Sequence, residues 1–245
     1  MAQADGVEAR RGGAWSRVAV AVEVALTAYA WSWIARLAAR AVGLDAARGV
    51  HGGTFLAWAA LSVPAGYVLL RLTLSLRGAR PASIGLVRSP LGWSRAVRVG
   101  LAWGAALYLV SAATTWIGAR LGLAPESGAF SIGSVWSWLA WVAGGLLAGA
   151  FGEELLYRGW LLERVERGLA GLVPDAWATR AGVVVAALAF GAQHAYQGAI
   201  AVVTVTLLGL GLGLAHLRSG RSLVVPIVAH GLLDVVGLTE LYLAR

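Results

Sequence analysis

With 59% hydrophobic and only 13% charged residues over 245 positions, the chain carries about half the charge of a soluble domain. The absence of cysteine excludes disulfides, thiolate metal sites and cysteine nucleophiles. The net charge of +8 comes from arginine without lysine, and no basic stripe is interleaved with aromatics. Nucleic acid is therefore excluded as a partner, and the basic loops are read as facing an anionic lipid leaflet.

Seven apolar segments follow in chain order, at approximately 16–41, 53–72, 98–118, 134–158, 178–195, 198–217 and 222–243. The expected fold is all-α: a single integral membrane domain over 1–245, a polytopic transmembrane helical bundle of about seven spans plus interfacial amphipathic helices. The polar start, MAQADGVEARRGGAWSR, is followed by an apolar run in which Ala28-Tyr29-Ala30 mimics a signal-peptidase site. Glu23 interrupts that core and the apolar pattern continues to Val42, so the first span is read as uncleaved. The stretch between the second and third spans, with Arg77, Arg80, Arg88, Arg95 and Arg98, reads as an interfacial linker. LLERVERGLAGLVPDAW, 161–177, reads as an amphipathic helical turn followed by a proline break.

With the N-terminus inside, only Arg36, Arg40, Arg48, Arg120 and Arg245 fall on outer segments, and every other arginine falls on the inner side. Arginine concentrates on cytoplasmic loops, so the expectation is an integral inner (plasma) membrane protein with a cytoplasmic N-terminus. Arginine-only usage points to a GC-rich, bacterial genome.

Charged side chains inside spans are costly, so each needs a partner or a task. Three pairs at i, i+4 each share a helix face. Glu154 and Arg158, in FGEELLYRGW, have the favourable order for a helical ion pair and are read as mutually neutralising. Glu153 then projects about 100° away, toward a different neighbour, and is suited to general-base work. The second pair is Phe190 with His194, the third His230 with Asp234, four residues beyond Pro226. At 1.5 Å per residue, Glu153 lies roughly 8–12 Å from the inner end of its span and His194 about 15–20 Å in. His230 and Asp234 lie roughly 12 and 18 Å in from Ser222, so all four can share one level reached from the inner side. His216 is read as interfacial, His51 as a loop residue and Glu23 as awaiting a basic partner. The glycines 209, 211 and 213 are read as allowing close helix approach.

No HExxH, no GxSxG and no pair of aspartates in two spans is present. What remains is Glu153, His194, His230 and Asp234. Glu plus His can activate a water while a second His stabilises an oxyanion. Alternatively, His194 and His230 with a carboxylate can hold a divalent metal such as zinc. Both routes lead to hydrolysis, most plausibly of an amide.

Glu153-Glu154-xxx-Arg158, Phe190-xxx-His194 and His230-xxx-Asp234 resemble, in order and spacing, the three motifs of the CPBP family. These are the type II CAAX prenyl endopeptidases and related abortive-infection and bacteriocin-immunity proteins. GEELLYRGWLL, LAFGAQH and VPIVAHGLLD carry the likeness, over about 145–240. The resemblance implies an intramembrane protease whose pocket opens to the cytoplasm. It implies Glu153 as general base, His194 holding the attacking water, and His230 with residue 234 forming the oxyanion hole. Glu154 and Arg158 would brace the site, with Phe190 as support. Many members carry Asn where this chain has Asp234, so Asp234 must be protonated, orient His230 or ligate a metal; the spacing favours orienting His230. The substrate expected is a membrane-associated peptide or protein. Two other classes compete: a membrane scaffold or immunity factor that keeps the fold without catalysis, and a small transporter.

Overall fold

Long apolar runs that stop at Gly, Pro and Arg clusters set the helices. The computed structural model describes residues 14–44, 50–123 and 130–244. The basic start with Arg10 and Arg11, and Arg48 and Arg245, lie outside the described residues. In chain order the elements are α1 (Ala14–Ala41), β1 (Val50–His51), α2 (Gly52–Ser75), a 3-10 turn (Pro81–Ile84), α3 (Trp93–Arg120) and β2 (Phe130–Ser131). Then come α4 (Val135–Gly145), a π-helix (Leu146–Leu161), α5 (Leu162–Leu169), α6 (Asp175–Gln193), a second 3-10 turn (Ala195–Gln197), α7 (Ala199–Arg218) and α8 (Val224–Leu243). The fold is an all-α polytopic bundle. The two strands add one short parallel pairing, Val50 opposite Phe130 and His51 opposite Ser131.

Among the described residues six helices are long and apolar enough to cross a membrane. The seventh expected span is α6; Asp175 and Arg180 in its first two turns and Gln193 at its end lower its hydropathy. The fourth span does not stop near 158: α4, the π-helix and α5 form one rod of 35 residues, Val135–Leu169. Its start is fixed by Ser134, whose Oγ accepts from Ser137 N at 3.2 Å. Glu163 pairs with Arg164 and Arg167 on α5 and so extends the rod past its apolar part.

Helix α8 packs on α3, on the π-helix and on α4, while α6 packs on α7 and α5, and α2 on α1 and α4. Bare backbone permits these approaches; a Cβ at Gly104 of α3 would lie 2.8 Å from the Ala229 carbonyl of α8. A dry cluster of Leu70, Leu74, Ile84, Leu155, Trp160 and Leu223 fills the arginine-rich end of the bundle. The linker after α2 is therefore more than interfacial. Ile84 enters that cluster, Leu223 N donates to the Gly85 carbonyl at 3.1 Å, and Ser222 Oγ donates to the Val87 carbonyl at 3.2 Å.

One sequence expectation changes and another is met. His216 is buried, not interfacial, because the α7–α8 turn folds back over it: Arg221 N donates to the His216 carbonyl at 3.0 Å. Glu23 finds its basic partner in Arg77, with Arg164 at 3.7 Å.

Candidate active site

The π-helix is the local feature that presents the acidic pair. Its i→i+5 bonding is visible at its end, where Leu162 N–H donates to the Tyr157 carbonyl. Such segments are rare and recur at functional sites. Here it carries Glu154 and Arg158 on one side, joined to each other, and Glu153 on the next.

Glu154 and Arg158 are sealed, with side chains 0% and 1% exposed. Arg158 Nη1 donates to Glu154 Oε1 at 2.7 Å, and Nη2 donates to the Gly209 carbonyl of α7 at 3.3 Å. The guanidinium also lies 4.4 Å over the Phe190 ring, a cation–π contact. A buried charge persists only when paired and bonded in this way.

His230 of α8 enters from the other side. Its Nδ1 meets Glu154 Oε1 at 2.8 Å, so the ring donates Nδ1–H to that carboxylate. Its Nε2 faces the opposite way, 3.8 Å from Glu153 Oε2 and 3.7 Å from Asp234 Oδ1. The imidazole hydrogen-bonds Glu154 through Nδ1, while Glu153 lies on its Nε2 side beyond hydrogen-bond reach, so the two glutamates face different nitrogens of one ring. One expectation about this ring is corrected. Asp234 does not orient His230, because Glu154 holds Nδ1 and the aspartate lies beyond hydrogen-bond reach of Nε2.

Glu153 and Asp234 are the carboxylates that reach open space, with side chains 22% and 23% exposed. They line a cavity of about 940 Å³ together with His194, His230, Tyr196 and Gln197. Asp234 rests on bare backbone: a Cβ at Gly149 would lie 2.6 Å from its Oδ2, and one at Gly145 3.4 Å. Its Oδ2 is buried and has no hydrogen-bond partner among the described residues.

His194 caps α6, where its Nδ1 meets the Phe190 carbonyl at 2.9 Å, leaving Nε2 for the cavity. Phe190 stands edge-on between the two histidines, with ring centroids 5.0 Å from His194 and 5.7 Å from His230. The structure thus brings all seven sequence candidates into one cluster. Gly149, Gly145, the Gly209 carbonyl and the Tyr157–Gln193 hydrogen bond were missed. Small residues at 145 and 149, one turn apart and just ahead of Glu153, were the available signal for the first two.

Zinc needs three protein ligands at about 2.0–2.2 Å. Among the described residues no three His, Asp or Glu side chains gather closely enough to hold a metal ion. Each histidine is held through Nδ1, His230 by Glu154 and His194 by Phe190, which leaves each Nε2 toward the cavity. The spacing of the donors does not fit a resident metal in this arrangement.

In the cavity wall, His194 stands at the end of α6, next to the last residue of its expected span. The walls continue to Phe55 in the first turn of α2 and to Leu241 near the end of α8. All of these lie toward the helix ends that carry few arginines.

An apolar helical bundle enclosing a chamber of carboxylates and histidines defines an integral membrane protein with a polar chamber among its helices. Residues 134–236 match the family described as Rce1-like, type II CAAX prenyl endopeptidase, the family that the three motifs resemble. That match supports a CAAX-protease-like intramembrane endopeptidase in general. No curated protein and no solved structure matches the chain.

Proposed function

We propose that the protein is an intramembrane endopeptidase of the plasma membrane that hydrolyses a membrane-associated peptide or protein with a water activated by Glu153. The observation that carries the reading is the unequal treatment of two adjacent glutamates. Glu154 is sealed against Arg158 and His230, whereas Glu153 opens to the cavity 3.8 Å from His230 Nε2.

In this reading Glu153 takes a proton from water while the oxygen attacks the scissile carbonyl carbon. His194, held by the Phe190 carbonyl, offers Nε2 to the same water. The carbonyl π electrons move to oxygen, and the oxyanion meets His230, whose doubly protonated ring donates Nδ1–H to Glu154 and Nε2–H to the substrate. Asp234 acts as the neutral acid, since an ionised carboxylate there would repel the oxyanion. Collapse of the intermediate breaks the C–N bond, and the proton on Glu153 passes to the leaving amine.

The test is cleavage of a quenched fluorescent peptide library by purified wild type and Glu153→Gln. The reading expects a loss of about 10²–10⁴-fold in the variant. Equal rates from both proteins would refute it and favour a non-catalytic scaffold.

A further inference from the structure

We propose that the turn between α6 and α7 is a clamp for the backbone of an extended peptide, with Gln193 as its hydrogen-bond donor and Gln197 as its acceptor. The proposal rests on the peptidase reading only in taking the clamped peptide to be the substrate.

A glutamine side chain carries both a donor and an acceptor, so what it can offer a ligand depends on which end is already used. Gln193 is the last residue of α6 and lines the chamber. Tyr157 of the π-helix donates its O–H to Gln193 Oε1. Tyr157 is itself 6% exposed, and its ring packs on Phe190 with centroids 5.2 Å apart. Gln193 Oε1 is thus tied to a fixed partner, and its Nε2 is the end left for the chamber. Gln197, also in the chamber wall, is used the other way round. Its Nε2 donates to the Tyr196 hydroxyl at 2.8 Å, which leaves Oε1 as an acceptor. Among the described residues no hydrogen bond uses Gln193 Nε2 or Gln197 Oε1.

The backbone between the two glutamines is held by its own bonds. His194 N donates to the Gly191 carbonyl at 2.9 Å, Gln197 N to the His194 carbonyl at 2.9 Å, and Gly198 N to the Ala195 carbonyl at 3.1 Å. Gly198 then turns the chain into α7 with φ 90°, a conformation that suits glycine. The Tyr196 ring stacks on the His194 ring, with centroids 6.1 Å apart and planes at 24°. The two free amide ends therefore keep a set position relative to the histidine that the peptidase reading places on the attacking water.

A donor and an acceptor side by side match one particular ligand. In an extended strand the N–H and C=O of one residue point to the same side, and a partner strand meets both at once. A peptide drawn into a chamber among membrane helices leaves water behind, so its backbone groups need such partners. The wall built from α2 and α4 does not supply them in the same way. Phe55 stacks on Trp58 and on Trp141, with centroids 5.6 and 4.5 Å apart, and Trp58 spends its indole N–H on the Ala35 carbonyl at 2.9 Å. That wall takes side chains, whereas the turn takes the main chain. Because the turn grips groups common to every residue, it fixes where the backbone lies without reading sequence.

The test joins variants of the clamp to variants of the peptide. Gln193→Leu and Gln197→Leu should each raise KM for the library's best peptide about 3–10-fold and leave kcat within about twofold, because the grip is the same before and during reaction. Each N–H of that peptide is then replaced in turn by an ester oxygen, with the scissile amide kept. At one position the ester should cost the wild type about 3–10-fold in kcat/KM and cost Gln197→Leu less than about twofold. A turn that matters only for folding would lower the rate on all peptides alike, so independent losses at every position would overturn the clamp. If Gln193→Leu folds poorly, Tyr157→Phe/Gln193→Leu removes the stranded hydroxyl and carries the same KM test. The ester scan is repeated as binding to Glu153→Gln, read by fluorescence anisotropy of fluorescein-labelled library peptides, which needs no turnover. Coupling in binding with no cleavage by the wild type sinks the peptidase reading and leaves the clamp standing. Cleavage without coupling sinks the clamp and leaves the peptidase reading standing.

Discussion

Replacing Arg158 with methionine keeps an unbranched apolar stem and removes the guanidinium that neutralises Glu154. The geometry makes the cost calculable. Glu154 is fully buried, its bond to Arg158 is 2.7 Å, and the guanidinium also caps Phe190 at 4.4 Å. Stranding a buried carboxylate costs about 3–5 kcal/mol. Loss of the desolvated cation–π contact adds about 1–2 kcal/mol. At roughly 2–4 °C per kcal/mol for a chain of this size, the melting temperature should fall by roughly 10–25 °C. Tryptophan fluorescence melts of the purified protein in detergent would measure this. Glu154→Gln alone should cost less, since the amide still meets His230, and the double variant Glu154→Gln/Arg158→Met should recover about 2–3 kcal/mol of the summed losses. A shift below about 2 °C for Arg158→Met would refute the reasoning, as would additivity of the two changes within about 0.5 kcal/mol.

Other outcomes follow from the same geometry. His230→Asn should lower cleavage by about 10²–10³-fold through loss of the oxyanion donor, measured as kcat/KM on the library's best peptide. Gly149→Ala should push Asp234 from its seat, because the new methyl would lie 2.6 Å from Oδ2, and should reduce turnover by at least about tenfold; Gly145→Ala, at 3.4 Å, should reduce it less than about twofold. Gly85→Ala should destabilise the arginine-rich end by about 1–3 kcal/mol, since residue 85 has φ 80° and its Cβ would lie 2.6 Å from the Arg221 carbonyl. A chelator should leave cleavage unchanged, because among the described residues no three ligands gather closely enough to hold a metal; a rate restored only by added zinc would count against that expectation.

The bundle was legible because membrane spans announce themselves locally. Twenty apolar residues between arginine clusters cannot do much else, and the positions of α1, α2, α3, α7 and α8 follow from that alone. The chemical inventory was legible for the same reason: Glu153, Glu154, Arg158, His194, His230 and Asp234 are conspicuous where charge is costly. Spacing of four residues even specified the Glu154–Arg158 pair, which depends only on one helix. Everything that depends on how one helix is turned against another had to wait. The bridge from His230 to Glu154, 76 residues apart in the chain, exists because α8 rotates that ring onto the π-helix. Glu23 meets Arg77, and His216 is buried, through packing that no local pattern encodes. The direction of the chamber is of the same kind. Hydropathy is blind to which end of a bundle is filled with leucine and tryptophan and which is left open, because both ends are equally apolar in sequence. Only the joint placement of Leu70, Leu74, Ile84, Leu155, Trp160 and Leu223 closes one end and leaves Glu153 facing the other.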